Sequence, residues 1–375
     1  MSFDEEFMSV ALSLAPNGRG AVEPNPMVGA VIVRDGREIA RGWHRRFGGP
    51  HAEIEALTAA READFDVRGS TMYVTLEPCC HFGKTPPCTD AIIGAGIGRV
   101  VVAMQDVDPR VAGKGIAQLR AAGIEVTTGV CEAQARELLA PYIKLRTTGR
   151  PWVICKWAQT ADGYIALPSG DKRRWISCEE SRLRVHVLRG LCDGILVGVG
   201  TVLADDPLLT NRSLRGKQPC RVVLDANLRT PPKSRLARTA AESPVIVVAC
   251  EAAIAARPEA AESLRGAGVG LLPVDRVSAA KEPMIDLPAL LDELGRRQWT
   301  YLLVEGGAKV LASFISAGLA DEIQVYISPD TAGASSTESL PRFDIADVER
   351  NSSLRKAEEG ACGRDRWVRY LVGRI

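Results

Sequence analysis

Two consecutive α/β domains are what this chain predicts, and three observations predict them. Its 375 residues exceed what one ordinary hydrophobic core organises. Strand-like and helix-like runs alternate through both halves, the pattern of a sheet covered by helices on both faces. Between the halves, Leu145-Arg146-Thr147-Thr148-Gly149-Arg150-Pro151 is a short polar stretch with Gly and Pro, a boundary composition. The expected domains are residues 1–147 and 150–375.

In the first half, Phe7, Val10, Ala11 and Leu14 fall at helical spacing. A rigid turn, Glu23-Pro24-Asn25-Pro26-Met27-Val28-Gly29, leads into a strand over 30–33. Asp35-Gly36 is a hairpin signal joining it to a strand over 38–43. Alanine and glutamate fill a helix over 51–63. Strands over 71–76, 100–104 and 124–128 then alternate with helices near 88–94 and 114–122. In the second half, strands are expected over 152–157, 194–197, 221–224, 245–249, 301–304, 322–327 and 367–371. Helices are expected over 181–191, 252–266, 287–298 and 309–317, and surface loops over 230–243 and 329–336.

The composition is that of a soluble globular protein: 46% apolar, 25% charged, net charge +1. Near-neutral charge argues against a nucleic-acid backbone or a membrane surface as partner. The acidic start, Ser2-Phe3-Asp4-Glu5-Glu6, has no basic n-region, and no apolar run reaches eighteen residues. Ten cysteines in so long a chain read as thiols or metal ligands rather than a disulfide framework. The expected compartment is the cytoplasm.

The chemistry concentrates where the strand ending at Leu76 gives way to the helix beginning near Cys88. There the chain reads Glu77-Pro78-Cys79-Cys80-His81-Phe82-Gly83-Lys84-Thr85-Pro86-Pro87-Cys88. Upstream, His51-Ala52-Glu53 opens another helix. One imidazole and two thiolates, His51, Cys79 and Cys88, leave the fourth position of a tetrahedral zinc for water. Glu53 can then shuttle that water's protons, the constellation of a hydrolytic deaminase. Each residue alone has a bland reading: a structural histidine, an exposed helix acid, small buried thiols. Their joint spacing carries the signal. Positions i and i+2 do not share a face within a helix. His51 and Glu53 can therefore converge only at an irregular first turn, which Gly48-Gly49-Pro50 permits. Cys80 and His81 compete as ligands by type, and Cys80 is read as a non-ligand neighbour.

The Asn25-Pro26-x-Val28-Gly29 turn, His51-Ala52-Glu53, Glu77-Pro78-Cys79 through Thr85-Pro86-Pro87-Cys88, Met104-Gln105-Asp106 and Val111-Ala112-Gly113-Lys114-Gly115 resemble the bifunctional riboflavin-biosynthesis deaminase–reductases. The resemblance implies a cytidine-deaminase-like α/β/α sandwich followed by a dihydrofolate-reductase-like α/β domain. The first would deaminate a diaminopyrimidinone carrying a ribosylamino phosphate, with Asn25 and Lys84 among its substrate contacts. The second would reduce the ribosyl group to ribityl with NADPH, by hydride delivery to the anomeric carbon of a ring-opened imine. Such reductase domains commonly pair, which implies a homodimer.

The second half is weaker from residues alone. Val304-Glu305-Gly306-Gly307-Ala308 ends a strand and opens a helix, an arrangement that cradles phosphate but is unspecific. No G-x-G-x-x-G is present. The resemblance continues through 156–163, Trp175-Ile176-Ser177, 200–210 and 305–307. It implies NADPH contacts at Ala158, Trp175, Thr201, Asp205 and along the turn and helix Gly307, Ala308, Lys309, Val310, Leu311, Ala312 and Ser313. Substrate contacts would be Arg189, Leu209, Arg212 and Glu305, the two arginines suiting phosphate, with Asp205 the candidate proton donor. The chain departs from that pattern where Asp171-Lys172-Arg173-Arg174 replaces a serine before Trp175, where Ala226 replaces another, and over 329–336. The alternatives are a nucleobase or tRNA deaminase with an accessory domain, a zinc-stabilised binding module with four protein ligands, and a deaminase whose reductase half is inactive.

Overall fold

The computed structural model describes residues 2–82, 86–213, 216–274, 284–333, 340–351 and 353–373. The chain divides into two units, Met1–Gly149 and Arg150–Arg374. Among the described residues no helix is long and apolar enough to cross a membrane.

The first unit runs α1 (Phe3–Leu14), β1 (Gly29–Arg34), β2 (Arg37–Trp43), α2 (Ala52–Glu62), β3 (Thr71–Val74), α3 (Cys88–Gly94), β4 (Arg99–Val102), α4 (Lys114–Ala121), β5 (Glu125–Thr128) and α5 (Glu132–Thr148). Ser2 and Glu5 form a capping box that starts α1. The five-stranded sheet has the order β2-β1-β3-β4-β5. β1 is antiparallel to β2 and β3, whereas β3, β4 and β5 are parallel, and α3 and α4 supply the crossovers that parallel pairing needs. Met72, Tyr73, Val74 and Val100 to Val102 are fully buried, as continuous apolar strands are when both faces are covered. The loops leaving β3 and β4 at their C-terminal ends carry the first site.

The polar stretch from Leu145 to Thr148 is the last turn of α5, and the division between the two units follows it at Gly149 and Arg150. Pro141 and a mixed composition mask this helix in the sequence, yet Ala135, Leu139, Tyr142 and Leu145 are buried along one side of it. It stops at Gly149, in the left-handed conformation that ends helices.

The second unit runs β6 (Trp152–Gln159), α6 (Glu179–Leu191), β7 (Gly194–Gly198), α7 (Val199–Asp205), β8 (Cys220–Leu224), α8 (Arg235–Arg238), β9 (Val245–Ala249), α9 (Glu251–Ala256), α10 (Pro258–Gly266), β10 (Gly270–Pro273), α11 (Leu287–Arg296), β11 (Tyr301–Val304), α12 (Ala308–Ser316), β12 (Glu322–Ile327), α13 (Ile345–Asn351), β13 (Leu354–Cys362) and β14 (Asp365–Val372). Its nine-stranded sheet has the order β10-β9-β8-β7-β11-β6-β12-β14-β13. Strands β10 through β12 are mutually parallel, and β14 and β13 continue antiparallel. Strand order reverses between β7 and β11, where ligands settle beyond the carboxyl ends of open α/β sheets.

Three details differ from the sequence reading. The single helix expected over 252–266 is two, broken at Arg257–Pro258 because proline cannot continue the hydrogen-bond ladder. The loop expected over 230–243 contains α8. Strand β13 is an edge strand, mostly exposed and charged, so it lacks the apolar alternation that marks a strand. Part of the loop expected over 329–336 lies outside the described residues.

Candidate active sites

His51 is the N-cap of α2, with extended backbone (φ −75°, ψ 167°), so its ring leaves the helix direction before Glu53 enters the first turn. That irregular start lets both side chains line one pocket of about 220 Å³. Strand β2 supports it from below. A Cβ on Gly42 would lie 2.4 Å from the Ala56 nitrogen and 2.6 Å from the Ala52 oxygen, so α2 packs directly on glycine backbone. Gly42→Ala is accordingly expected to cost about 1–3 kcal/mol. Urea unfolding should show it as a lowered midpoint for the first unit.

Cys79 follows β3, and Cys88 is the first residue of α3. His51 Nδ1 lies 3.5 Å from Cys79 Sγ and 3.3 Å from Cys88 Sγ, and the Cys88 N–H donates to Cys79 Sγ at 3.4 Å. The three ligand atoms fall within 4.8 Å of one another, and among the described residues no other such group forms. Cys80 and His81 are outside it. Hydrogen bonding from Cys88 pulls the Cys79 thiol down towards thiolate, and the same contact, with burial, pushes Cys88 up. One imidazole and two thiols converging without a fourth protein donor is the set that suits a catalytic zinc.

Glu53 is 3% exposed, and burial pushes its carboxyl up to about 7 despite the favourable charge of His51. Asn25 and Asp106 line the same pocket, together with His44 and Tyr142, which the sequence analysis did not name. His44 is buried, and burial lowers its pKa; its Nδ1 bonds the Pro50 carbonyl at 2.8 Å, and its Nε2 faces Asn25 Nδ2 at 3.3 Å. Asp106, just beyond β4, accepts from the Tyr142 hydroxyl at 2.9 Å and the Asp108 N–H at 2.9 Å. All of these, with Asn25, line the pocket. The sequence signal for Asp106 was its place in the Met104-Gln105-Asp106 motif; Tyr142 carried none. Glu77 ties the two loops together, accepting from the N–H groups of Asp106, Gly113 and Ile116 at 3.2, 2.9 and 3.1 Å. Lys84 lies outside the described residues.

In the second unit, the turns after β7 and β11 meet at Val310. A Cβ on Gly198 would approach its Cγ2 to 2.8 Å, and one on Gly306 its Cβ to 2.6 Å. Gly307 caps α12, so the helix opens at the point where strand order reverses. Thr201 sits half-buried in α7, Ala158 half-buried on β6, and Trp175 is half-exposed between the Arg174 and Arg182 guanidiniums, 5.2 and 5.5 Å from its ring centre. Lys309 and Ala312 are exposed on α12, and Ala308 and Ser313 partly so. Leu311 differs: its side chain is fully buried in the core, so only its backbone can face a ligand.

Register places Val304 beside Cys155, which brings Glu305 next to Lys156. Glu305 receives a two-point ion pair from Arg189, Nε to Oε1 at 3.0 Å and Nη2 to Oε2 at 2.7 Å, with both side chains about nine-tenths buried. Burial opposes the Glu305 carboxylate, and the charges of Arg189 and Lys156 more than offset it, holding it near 2. Burial lowers the Lys156 ammonium, partly countered by Glu305. Arg189 Nη1 also donates to the Thr210 carbonyl at 3.2 Å, so three of its donors are engaged within the protein rather than offered to phosphate. Leu209 is buried with φ 53°, Arg212 is exposed, and Asp205 is exposed at the end of α7. In the basic loop, Arg173 is held by Asp171 and the Thr331 carbonyl, so its charge is already matched.

Two family profiles match this chain. The cytidine and deoxycytidylate deaminase zinc-binding region covers residues 1–104, and the RibD C-terminal domain covers 151–360. The riboflavin biosynthesis protein RibD of Aquifex aeolicus is 42% identical over 363 residues, 96% of each chain. That of Escherichia coli is 38% identical over 344 residues, 88% of this chain and 89% of its own. Among solved structures, Acinetobacter baumannii RibD matches with a TM-score of 0.82 at 34% identity, covering 99% of both chains. The Thermotoga maritima diaminohydroxyphosphoribosylaminopyrimidine deaminase/5-amino-6-(5-phosphoribosylamino)uracil reductase matches with 0.81 at 36% identity and the same coverage. Fold and sites together define a two-part enzyme, a zinc-type deaminase joined to a reductase. The chain belongs to the RibD family of riboflavin biosynthesis proteins.

Proposed function

We propose that this chain catalyses two consecutive steps of riboflavin biosynthesis. The first is hydrolytic deamination of diaminohydroxyphosphoribosylaminopyrimidine, and the second is NADPH-dependent reduction of the resulting 5-amino-6-(5-phosphoribosylamino)uracil to its ribityl form. The observation that carries the reading is the convergence of His51, Cys79 and Cys88 beside a buried Glu53 in one pocket.

His51, Cys79 and Cys88 would hold zinc, which when bound supplies Lewis acidity toward a water molecule. Glu53 takes a proton from that water and returns protons to the ring nitrogen and the departing ammonia. Its carboxyl, poised near neutrality by burial, can act in both directions. Asn25, His44 and Asp106 face the ring with acceptors and donors that orient it. In the second unit the α12 N-terminus from Gly307, with Ala158, Trp175 and Thr201, would hold NADPH, which supplies hydride. Lys156, beside Glu305, is placed to give the proton that the reduced imine nitrogen requires; exposed Asp205 is the weaker donor. Ten cysteines without a disulfide among them suit a reducing compartment, hence a cytoplasmic location, where the chain would pair as a homodimer.

The test follows ammonia release and NADPH oxidation together on the purified chain, before and after chelation. About one zinc per chain is expected. Chelation should stop ammonia release and spare NADPH oxidation when the deaminated intermediate is supplied. Ammonia release without any NADPH oxidation would favour an inactive reductase half. Ammonia release that survives full zinc removal would sink the first site.

A further inference from the structure

The loop after α7 that carries Leu209 and Arg212 is tied down at several points. Arg221 Nη1 donates to the Leu208 carbonyl at 3.1 Å, Arg189 to the Thr210 carbonyl at 3.2 Å, and the Asn211 N–H to Gln218 Oε1 at 3.0 Å. On α6, Arg182, His186 and Arg189 fall at i, i+4 and i+7, along one helix face. His186 is 8% exposed and reaches Arg212 with its ring: Arg212 Nε lies 3.1 Å from Nε2, and the Arg212 backbone nitrogen 3.3 Å from Nδ1. A neutral imidazole has one accepting nitrogen. The ring also meets the Thr210 carbonyl, which calls for a proton. The tautomer that satisfies the shorter contact carries its proton on Nδ1 and accepts from Arg212 through Nε2. Burial, with the charges of Arg189 and Arg212, pushes His186 down to about 4, so the ring is neutral near pH 7.

Among the described residues Arg212 forms no ion pair. Partial desolvation of the Arg212 guanidinium lowers its pKa, although the residue as a whole is exposed, and so do the nearby charges of Arg189, Arg235 and Arg182. Arg182 donates to the Ser177 carbonyl at 2.6 Å; the Arg235 backbone N–H donates to Asp206 Oδ1 at 2.7 Å, and among the described residues neither guanidinium forms an ion pair. With Arg189 already matched by Glu305, the charges of Arg182 and Arg235 add to the positive field felt by Arg212. That arrangement calls for an anion of more than one charge.

We propose that His186 is a positioning residue for the phosphate end of the reductase substrate. It holds Arg212 by Nε without cancelling its charge and leaves both Nη groups for phosphate, with Arg182 and Arg235 completing the cluster. An acid in its place would grip Arg212 harder but neutralise the charge the phosphate needs. A neutral acceptor orients the fork and keeps the charge. The inference rests on the reductase reading above and extends it to residues that reading did not name.

The experiment compares His186→Phe and His186→Gln with the unaltered chain. Each is given the deaminated intermediate with and without its 5′-phosphate, and inorganic phosphate is tested as a competitor. For the phenylalanine variant, KM for the phosphorylated compound should rise about tenfold, the scale of one lost hydrogen bond to a charged group. Its kcat should stay within about twofold, and KM for the phosphate-free compound should not move. Glutamine, which can still accept, should restore most of the loss. Ammonia release by the same proteins reports that the chain is folded. Equal rises in KM for both compounds would reduce His186 to a packing role and overturn the proposal, as would an unchanged KM. If the phenylalanine variant does not turn over, calorimetry with inorganic phosphate decides: affinity about tenfold weaker supports the proposal, and unchanged affinity overturns it. If the unaltered chain oxidises no NADPH with either compound, the functional reading fails, and the calorimetry still tests the cluster.

Discussion

Glu53→Gln is expected to lower ammonia release by roughly a thousandfold or more, within the range attributed to a lost proton shuttle. Zinc content and NADPH oxidation on the deaminated intermediate should stay intact. The substitution keeps the shape of a side chain that is 3% exposed, so it leaves no cavity for a rescuing water. It removes only the ability to take and return protons. The stability consequence has a definite sign. Burial raises the Glu53 carboxyl from 4.5 to about 7, so folding favours its protonated form. A carboxyl whose folded pKa lies above its unfolded one contributes stability below the unfolded value and loses it as pH rises through the folded value. In chelated protein, where no cation offsets the charge, Glu53→Gln should therefore stabilise more at pH 8 than at pH 5. Denaturant midpoints at the two pH values would show it. Ammonia release that survives Glu53→Gln would mean another group moves the proton.

That prediction rests on residues legible in the sequence. His51, Glu53, Cys79 and Cys88 were readable because metal chemistry fixes residue types at short spacing, and strand-to-helix punctuation shows where they sit. The parallel strands were readable for a related reason: buried on both faces, they are continuous apolar runs. Helix α5 was not, because Pro141 interrupts its pattern, and so Tyr142, which steadies Asp106, had no local signal. Strand β13 was hidden by the charges that protect an edge. Nor could sequence tell that Arg189 and Glu305, 116 residues apart, bind each other, because that pairing follows only from α6 lying over the end of β11. Sites assembled from one strand–loop–helix turn are legible; sites assembled across a sheet need its order.

The reductase half therefore yields the prediction that spacing could not suggest. Lys156→Met is expected to lower kcat for NADPH oxidation by roughly a hundredfold or more, whereas Asp205→Asn should change it by no more than about threefold. Reduction of an imine consumes a hydride at carbon and a proton at nitrogen, so a donor must stand near the reacting carbon in a site sheltered from water. Asp205 is exposed at the end of α7, and no shelter surrounds it. Lys156 projects from β6 beside Glu305, and burial eases loss of its proton while Glu305 keeps the charged form populated. Glu305 itself, held near 2 by Arg189 and Lys156, is a poor acid and serves as the fixed charge that poises its neighbour. Methionine preserves the length and packing of the lysine stem and removes only the ammonium. Its effect should consequently fall on kcat, with KM for NADPH unchanged and ammonia release by the first unit normal. A larger loss in Asp205→Asn than in Lys156→Met would return the proton to the α7 loop.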